Sequence, residues 1–195
     1  MKKFGLTGGV ACGKTTVSQA LETLGWAVID ADEIVARLYE PGGAGQQKII
    51  DTFGRAMLNE DQAVNRALLG RLVFSDSDKR RLLNSLIHPL VKKVWQQQYQ
   101  EHLKRSKKPV VIVIPLLFEA KVEKWFDSVA CVGCSEKEQK KRLKAQKREL
   151  IEERINAQLP LAQKMEKSQI ILWNNGSMEH LNAQARALDA FWRRM

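Results

Sequence analysis

The stretch Gly8-Gly9-Val10-Ala11-Cys12-Gly13-Lys14-Thr15 fits the pattern G-x-x-x-x-G-K-[ST]. An apolar run, Phe4-Gly5-Leu6, leads into it, and Val17, Ala20, Leu21 and Leu24 follow at helical spacing. Strand, glycine-rich turn and helix, in that order, make a phosphate-binding P-loop and commit the chain to an α/β core. The residue types follow from the chemistry. Glycines let successive backbone N–H groups converge on one anion. The helix N-terminus adds partial positive charge. Gly8, Gly9, Ala11, Cys12, Gly13, Lys14, Thr15 and Thr16 are therefore expected to hold a nucleoside triphosphate. Lys14 would reach its β- and γ-phosphates, and the Thr15 hydroxyl would ligate Mg²⁺.

The chain has 195 residues, 44% of them hydrophobic, which suits one domain with a real core and room for insertions. No apolar stretch is long enough to span a bilayer. Met-Lys-Lys runs directly into the first strand, leaving no room for a signal peptide, so a cytoplasmic protein is expected. Three cysteines agree with a reducing compartment. Cys131 and Cys134 form a C-x-x-C, but no second ligand pair accompanies it, and His88, His102 and His180 are scattered. The run Ser128–Val132 reads instead as a buried strand in which cysteine acts as a small hydrophobe. The net charge of +10 attracts polyanions: nucleic acid, an acidic membrane surface or a multiply phosphorylated substrate. No nucleic-acid-binding motif accompanies it, and aromatic residues are only 7% of the chain, which favours the small substrate.

Apolar runs at Lys3–Leu6, Ala27–Ile29, Val110–Ile114, Ser128–Val132 and Ile170–Leu172 read as strands. Most are continuous rather than alternating, as in strands buried on both faces of a parallel sheet. The expected fold is a doubly wound parallel sheet of about five strands carrying the P-loop, with a helical substrate-binding insertion and a short helical lid; the resemblance set out below implies that this is a P-loop kinase fold. Core segments would be residues 1–39, 109–134 and 168–195. The insertion, residues 40–108, follows the breaker Glu40-Pro41-Gly42-Gly43 and reads as helices around Gln46–Phe53, Arg66–Phe74, Asp78–Ile87 and Pro89–Arg105. The lid, residues 135–167, contains helices from Glu136 to about Lys147 and from Glu149 to Gln158. From Glu136 to Lys167 it carries ten Lys/Arg against six Glu. It is at once an amphipathic, solvated segment and a candidate basic cover for phosphates.

Gly25-Trp26-Ala27-Val28-Ile29-Asp30-Ala31-Asp32 ends a buried strand in two carboxylates, at the sheet edge where ligands bind. Each could accept a proton from an attacking hydroxyl, hold Mg²⁺, or cap the next helix. A second strand, Val110–Ile114, runs into Pro115-Leu116-Leu117-Phe118-Glu119. Glu119 is either a residue near Mg²⁺ or a solvent-facing glutamate.

Taken together, these segments resemble the dephospho-CoA kinases. The resemblance is carried by Gly5-Leu6-Thr7-Gly8-Gly9 through Thr16, Asp30-Ala31-Asp32 with Ala36-Arg37, and Glu40-Pro41-Gly42. It continues through Asn65-Arg66-Ala67-Leu68 to Phe74, Leu86-Ile87-His88-Pro89 and Pro115-Leu116-Leu117-Phe118-Glu119, and closes with Arg154-Ile155-Asn156-Ala157-Gln158 and Asn174-Asn175-Gly176-Ser177. It implies ATP- and Mg²⁺-dependent phosphorylation of the ribose 3′-hydroxyl of dephospho-CoA. By position it implies Asp32 as base, and Arg37, His88, Leu116 and Leu117 on the acceptor side. Arg142 falls on the lid and Asn175 near the nucleotide base. The chain departs from the family pattern in two places. A second lid arginine is replaced in Ala145-Gln146-Lys147-Arg148, where Lys147 or Arg148 would take its part, although lysine lacks the planar fork. Ser168-Gln169 and Trp173 stand where an Ala-Asp pair and an aspartate are usual. Competing readings are another P-loop kinase of nucleotides or nucleosides, and a nucleic-acid-binding P-loop ATPase.

Overall fold

The computed structural model describes residues 2–146 and 151–195, apart from the side chains of Ile151 and Arg154. In chain order the elements are β1 (Phe4–Gly8), α1 (Lys14–Thr23), β2 (Ala27–Asp30), α2 (Ala31–Leu38), α3 (Ala44–Phe53), α4 (Arg66–Ser75), α5 (Ser77–Arg105), β3 (Val110–Val113), β4 (Ser128–Gly133), α6 (Glu136–Ala145), α7 (Ile151–Asn156), α8 (Leu161–Glu166), β5 (Ile170–Trp173) and α9 (Met178–Arg194). They fall into two compact units, Met1–Ile29 with Tyr99–Met195, and Asp30–Gln98.

The first unit is built on the sheet. Its order is β2-β3-β1-β4-β5, and β1 pairs in parallel with β3 and β4, as β4 does with β5. Every residue of β1, β3 and β4 is buried, as their unbroken apolar runs require of strands covered on both faces. At the edge, β5 leaves Ile171 and Trp173 exposed. Two helices supply one cover: α1 buries Val17 and Leu21, and α9 buries Leu181, Ala185, Leu188 and Trp192. These side chains join Phe4, Leu6, Trp26, Val111, Val113, Ala130, Val132 and Leu172 in one core. Phe4 sits between Trp192, stacked at 4.7 Å, and Trp26, edge-on at 5.4 Å. Both indoles satisfy their N–H inside: Trp26 Nε1 donates to Asp189 at 2.6 Å and Trp192 Nε1 to Ser128 Oγ at 3.0 Å. Each fully buried large apolar side chain contributes about 1.5–3 kcal/mol.

The second unit is helical, with an isolated bridge between Leu58 and Val64. Buried Gln46 ties its loops together, accepting from Gly42 N at 2.8 Å and donating to the Gln62 carbonyl at 2.5 Å. Asn65 caps α4 through Leu68 N, and Asp76 caps α5 through the amides of Asp78 and Lys79. The compact unit begins at Asp30 and ends at Gln98, so α2 belongs with the helices that follow it. One expected break is absent: α5 runs unbroken through His88-Pro89. Proline costs that helix a hydrogen bond, but Ile87, Val91 and Trp95 repeat every fourth residue and are all buried. The apolar face is continuous across the proline, and its burial outweighs the lost bond. A further short helix, α8, occupies the segment after Pro160, which the periodicity had left without one. Among the described residues, no helix is long and apolar enough to cross a membrane.

Candidate active site

The P-loop leaves the buried end of β1 and enters α1 at Lys14. Two glycines set its path. Gly8 has φ +147°, and a Cβ there would stand 2.2 Å from the Val132 carbonyl oxygen; Gly13 has φ +105°, and a Cβ would meet Asn174 Nδ2 at 2.5 Å. No other residue fits either position. With Gly13 as N-cap, α1 starts without a side-chain cap, and a helix N-terminus of that kind suits an anion.

Side chains from other elements hold the loop by its carbonyls. Gln139, buried on α6, donates to Val10 O at 2.8 Å. From the next turn of α6, Arg142 donates to Ala11 O at 3.4 Å and to Asn174 O at 2.8 Å. Asn174, just past β5, donates to Cys12 O at 2.9 Å. The Lys14 ammonium lies against Gly8 O and Gly9 O at 3.2 and 2.8 Å. Asn175 Oδ1 accepts from Ser135 N at 2.8 Å, fixing the entry to α6, whose N-cap is Ser135. The structure thus brings the P-loop, Arg142 and Asn175 together in one unit.

Two thiols lie beneath the loop. Cys134 Sγ donates to Cys12 Sγ at 3.2 Å, and both are buried. That bond, with the positive charges of Lys14 and Arg142, holds the Cys12 thiol below the ordinary cysteine value against the effect of burial. The same bond, with burial, pushes Cys134 up. Cys131, inside β4, is pushed up to about 11 by burial. Of the C-x-x-C pair, Cys131 is buried within β4, and Cys134 joins the core cluster beside Cys12.

The loop after β3 has a different support. Pro115 O accepts from Thr7 Oγ1 at 3.3 Å and from Lys164 Nζ at 2.8 Å. Leu117 is fully buried over Gly5, and Leu116 is half-buried beside it. Glu119 is no solvent-facing glutamate: its Oε1 accepts from Lys164 Nζ at 2.9 Å and from Leu159 N at 2.8 Å.

In the helical unit, the capping role falls to Asp30, whose Oδ1 accepts from Asp32 N at 2.7 Å. Asp32 is the second residue of α2. Arg37 lies one turn on, with Glu33 at 3.7 Å on an exposed face, and His88 is half-buried within α5. Lys147 and Arg148, expected to contribute to the lid, lie outside the described residues; Gln146 follows α6 and is exposed.

Cys134 and Asn174 were named from the sequence without their contacts to the P-loop, and Gln139 and Lys164 were not singled out there. Gln139 could have been, because it stands three residues before Arg142 and shares its helix face. Lys164 could not, since nothing separates it from nine other basic residues of that segment.

Among the described residues, no three His, Cys, Asp or Glu side chains are grouped to hold a metal. A protein cage is not what Mg²⁺ asks for beside a triphosphate, where one hard oxygen plus phosphate oxygens and water suffice. The exposed Thr15 hydroxyl in the first turn of α1 fits that part.

A family model described as dephospho-CoA kinase matches residues 3–180. A dephospho-CoA kinase of Carboxydothermus hydrogenoformans is 41% identical over 193 residues, covering 97% of this chain and 94% of that protein. Among solved structures, TT1252 from Thermus thermophilus superposes with a TM-score of 0.77 at 31% identity, covering 100% of this chain and 97% of the other. A dephospho-CoA kinase from Campylobacter jejuni shares the fold, with a TM-score of 0.69 at 24% identity over 96% of this chain and 95% of its own.

Proposed function

This chain belongs to the dephospho-CoA kinase family, and from that premise we propose that it transfers the γ-phosphoryl group of ATP to the ribose 3′-hydroxyl of dephospho-CoA, yielding coenzyme A and ADP. The observation that carries the reading is the P-loop itself, with its carbonyls fastened by Gln139, Arg142 and Asn174 and leading into a helix that starts at a glycine without a side-chain cap.

In this reading the P-loop amides from Gly8 to Thr16 and the Lys14 ammonium take the β- and γ-phosphates. Thr15 would hold the Mg²⁺ that comes with ATP, and the ion would supply positive charge beside the phosphates. Asp32 accepts the proton of the 3′-hydroxyl as its oxygen bonds to the γ-phosphorus and the bond to the β,γ-bridging oxygen breaks. Asp30 has a separate part, as the cap of α2. Arg142 stabilises charge on the transferring group, and the loop at Asn175 borders the nucleotide base. Arg37, His88 and Leu116 face the acceptor, with Leu117 supporting the segment from the core. Residues 135–167 act as lid and the helical insertion, residues 40–108, as acceptor-binding region. The enzyme works in the cytoplasm on small molecules, without nucleic acid.

The test is product analysis by mass spectrometry after incubation with ATP, Mg²⁺ and dephospho-CoA, with nucleosides and nucleic acid in parallel reactions. Coenzyme A is expected. ADP release only with nucleosides or nucleic acid overturns the reading. Asp32→Asn should bind ATP normally by calorimetry and lose phosphoryl transfer; lost ATP binding alone would make Asp32 a metal or structural residue.

A further inference from the structure

Lys164 is a lysine with no exposed side-chain surface. Its ammonium has three hydrogens, and the structure supplies three acceptors: Pro115 O at 2.8 Å, Glu119 Oε1 at 2.9 Å and Gln158 Oε1 at 3.1 Å. Two of these belong to the loop after β3. The third belongs to the turn at which the chain returns from α7 to the core, and Leu159 N in that turn also donates to Glu119 Oε1. Pro115 O further accepts from Thr7 Oγ1, one residue before the P-loop begins. One ammonium therefore fastens the strand-end loop to the foot of the lid segment.

Core stability alone does not account for such a charge. Taking a lysine and a carboxylate out of water is costly, and an apolar pair of similar volume commonly stabilises a core as well or better. What the ion pair supplies is direction, because three fixed acceptors allow one position for the loop. The P-loop gains little from this, since its carbonyls are held by Gln139, Arg142 and Asn174. The segment that depends on Lys164 is Pro115 to Glu119.

We infer that Lys164 is a positioning residue for the acceptor: through Pro115 and Glu119 it sets Leu116 and the lid's return turn, and so governs affinity for dephospho-CoA more than for ATP. This rests on the proposed function and on the place of Leu116 in it. Three variants test it: Lys164→Met, Lys164→Met with Glu119→Gln, and Gln158→Ala. KM for each substrate, kcat and the unfolding midpoint are measured for all. Lys164→Met should raise the acceptor KM about tenfold or more, the scale of one lost hydrogen bond to a charged group, with the ATP KM changed less than about twofold. The double variant should regain the unfolding midpoint, since no charge is left stranded, yet keep the raised acceptor KM. Gln158→Ala, which leaves the ion pair intact, should move the acceptor KM the same way by less, and decides the matter should Lys164→Met not fold. If the acceptor KM recovers with the midpoint, or both KM values rise equally, Lys164 is structural and the inference falls. Failure of the proposed function looks different: wild type itself would not consume dephospho-CoA.

Discussion

Two loops leave the same sheet at neighbouring parallel strands, the P-loop from β1 and the Pro115–Glu119 loop from β3, and they are held in opposite ways. Val10, Ala11 and Cys12 each give a carbonyl to a different side chain, from Gln139, Arg142 and Asn174, while glycine dihedrals set the curve. In the second loop one buried ammonium reaches both ends, Pro115 O and Glu119 Oε1. Distributed support makes a shape that survives the loss of any one contact. Concentrated support makes a shape that one substitution can undo. A surface of amides aimed at phosphate has to keep its curvature, because the electrostatic stabilisation it offers depends on preset dipoles. The acceptor-side loop has only to be set in one place.

The difference predicts where stability fails first. Lys164→Met should lower the unfolding free energy by about 3 kcal/mol, since it leaves the largely buried Glu119 carboxylate without its cation and with only Leu159 N as donor. Glu119 Oε2 sharpens the expectation, being buried without a hydrogen-bond partner among the described residues. Denaturant titration at neutral pH reads the effect. A loss below about 1 kcal/mol, the size of an ordinary hydrogen bond, would mean the loop has other supports and the contrast is false.

Chemistry should fail elsewhere. Lys14→Ala is expected to lower kcat/KM by about 10²–10³-fold, the scale of one removed charge-stabilising donor. Its unfolding midpoint should stay close to wild type, because the remaining contacts keep the loop in shape. Near-normal activity in the folded variant would remove Lys14 from the phosphate site. A collapsed midpoint would show that the loop depends on Lys14 as its neighbour depends on Lys164.

The same contrast marks what could be read from sequence. The P-loop was legible because its requirements are local: glycines at Gly8 and Gly13, then Lys14 and Thr15 at fixed spacing. The three central strands were legible because burial on both faces makes unbroken apolar runs such as Val110–Val113, and the edge strands β2 and β5 because their short apolar runs stand between helical patterns. Pro89 misled, since a proline reads as a break until the buried Ile87, Val91 and Trp95 on either side are seen to share one face. The burial of one support of each loop was hidden for one reason. Gln139 and Lys164 are long polar side chains in a charged stretch, and only tertiary structure shows that they are buried. Asp30 and Asp32 were equivalent by sequence, and the N-cap geometry separates them.

Redundancy itself can be probed with Gln139→Ala. One carbonyl contact of several is lost, so the unfolding free energy should fall by about 1 kcal/mol. Turnover should fall only a few-fold, since Ala11 O and Cys12 O keep their donors. A loss of activity approaching that of Lys14→Ala would show that the α6 contact, and not the set, holds the loop.

The smallest effect concerns the sulfur contact under the P-loop. Cys134 donates to Cys12, and the Cys12 thiol is held below its ordinary range mainly by that bond, with help from Lys14 and Arg142. The native state thus releases the Cys12 proton at a lower pH than the unfolded chain does. Between those two points the unfolded state binds more protons, and stability must rise with pH. The contribution is complete above the unfolded thiol's value, about 8.5, and is lost as pH falls through the lowered native value. Cys134 acts in the opposite sense, since its raised value keeps it protonated as the donor, and its contribution fades at pH above the ordinary thiol range. Wild type should therefore gain stability from neutral pH toward the ordinary thiol range and lose it beyond. Cys12→Ala removes the rising slope and weakens the falling one, which burial of Cys134 and Cys131 still sustains, and Cys134→Ala removes the bond that lowers Cys12. Unfolding free energies for the three proteins across that range, under reducing conditions, decide the point. Parallel pH profiles in all three would mean that the thiols meet as neutral groups, leaving the P-loop floor as plain packing.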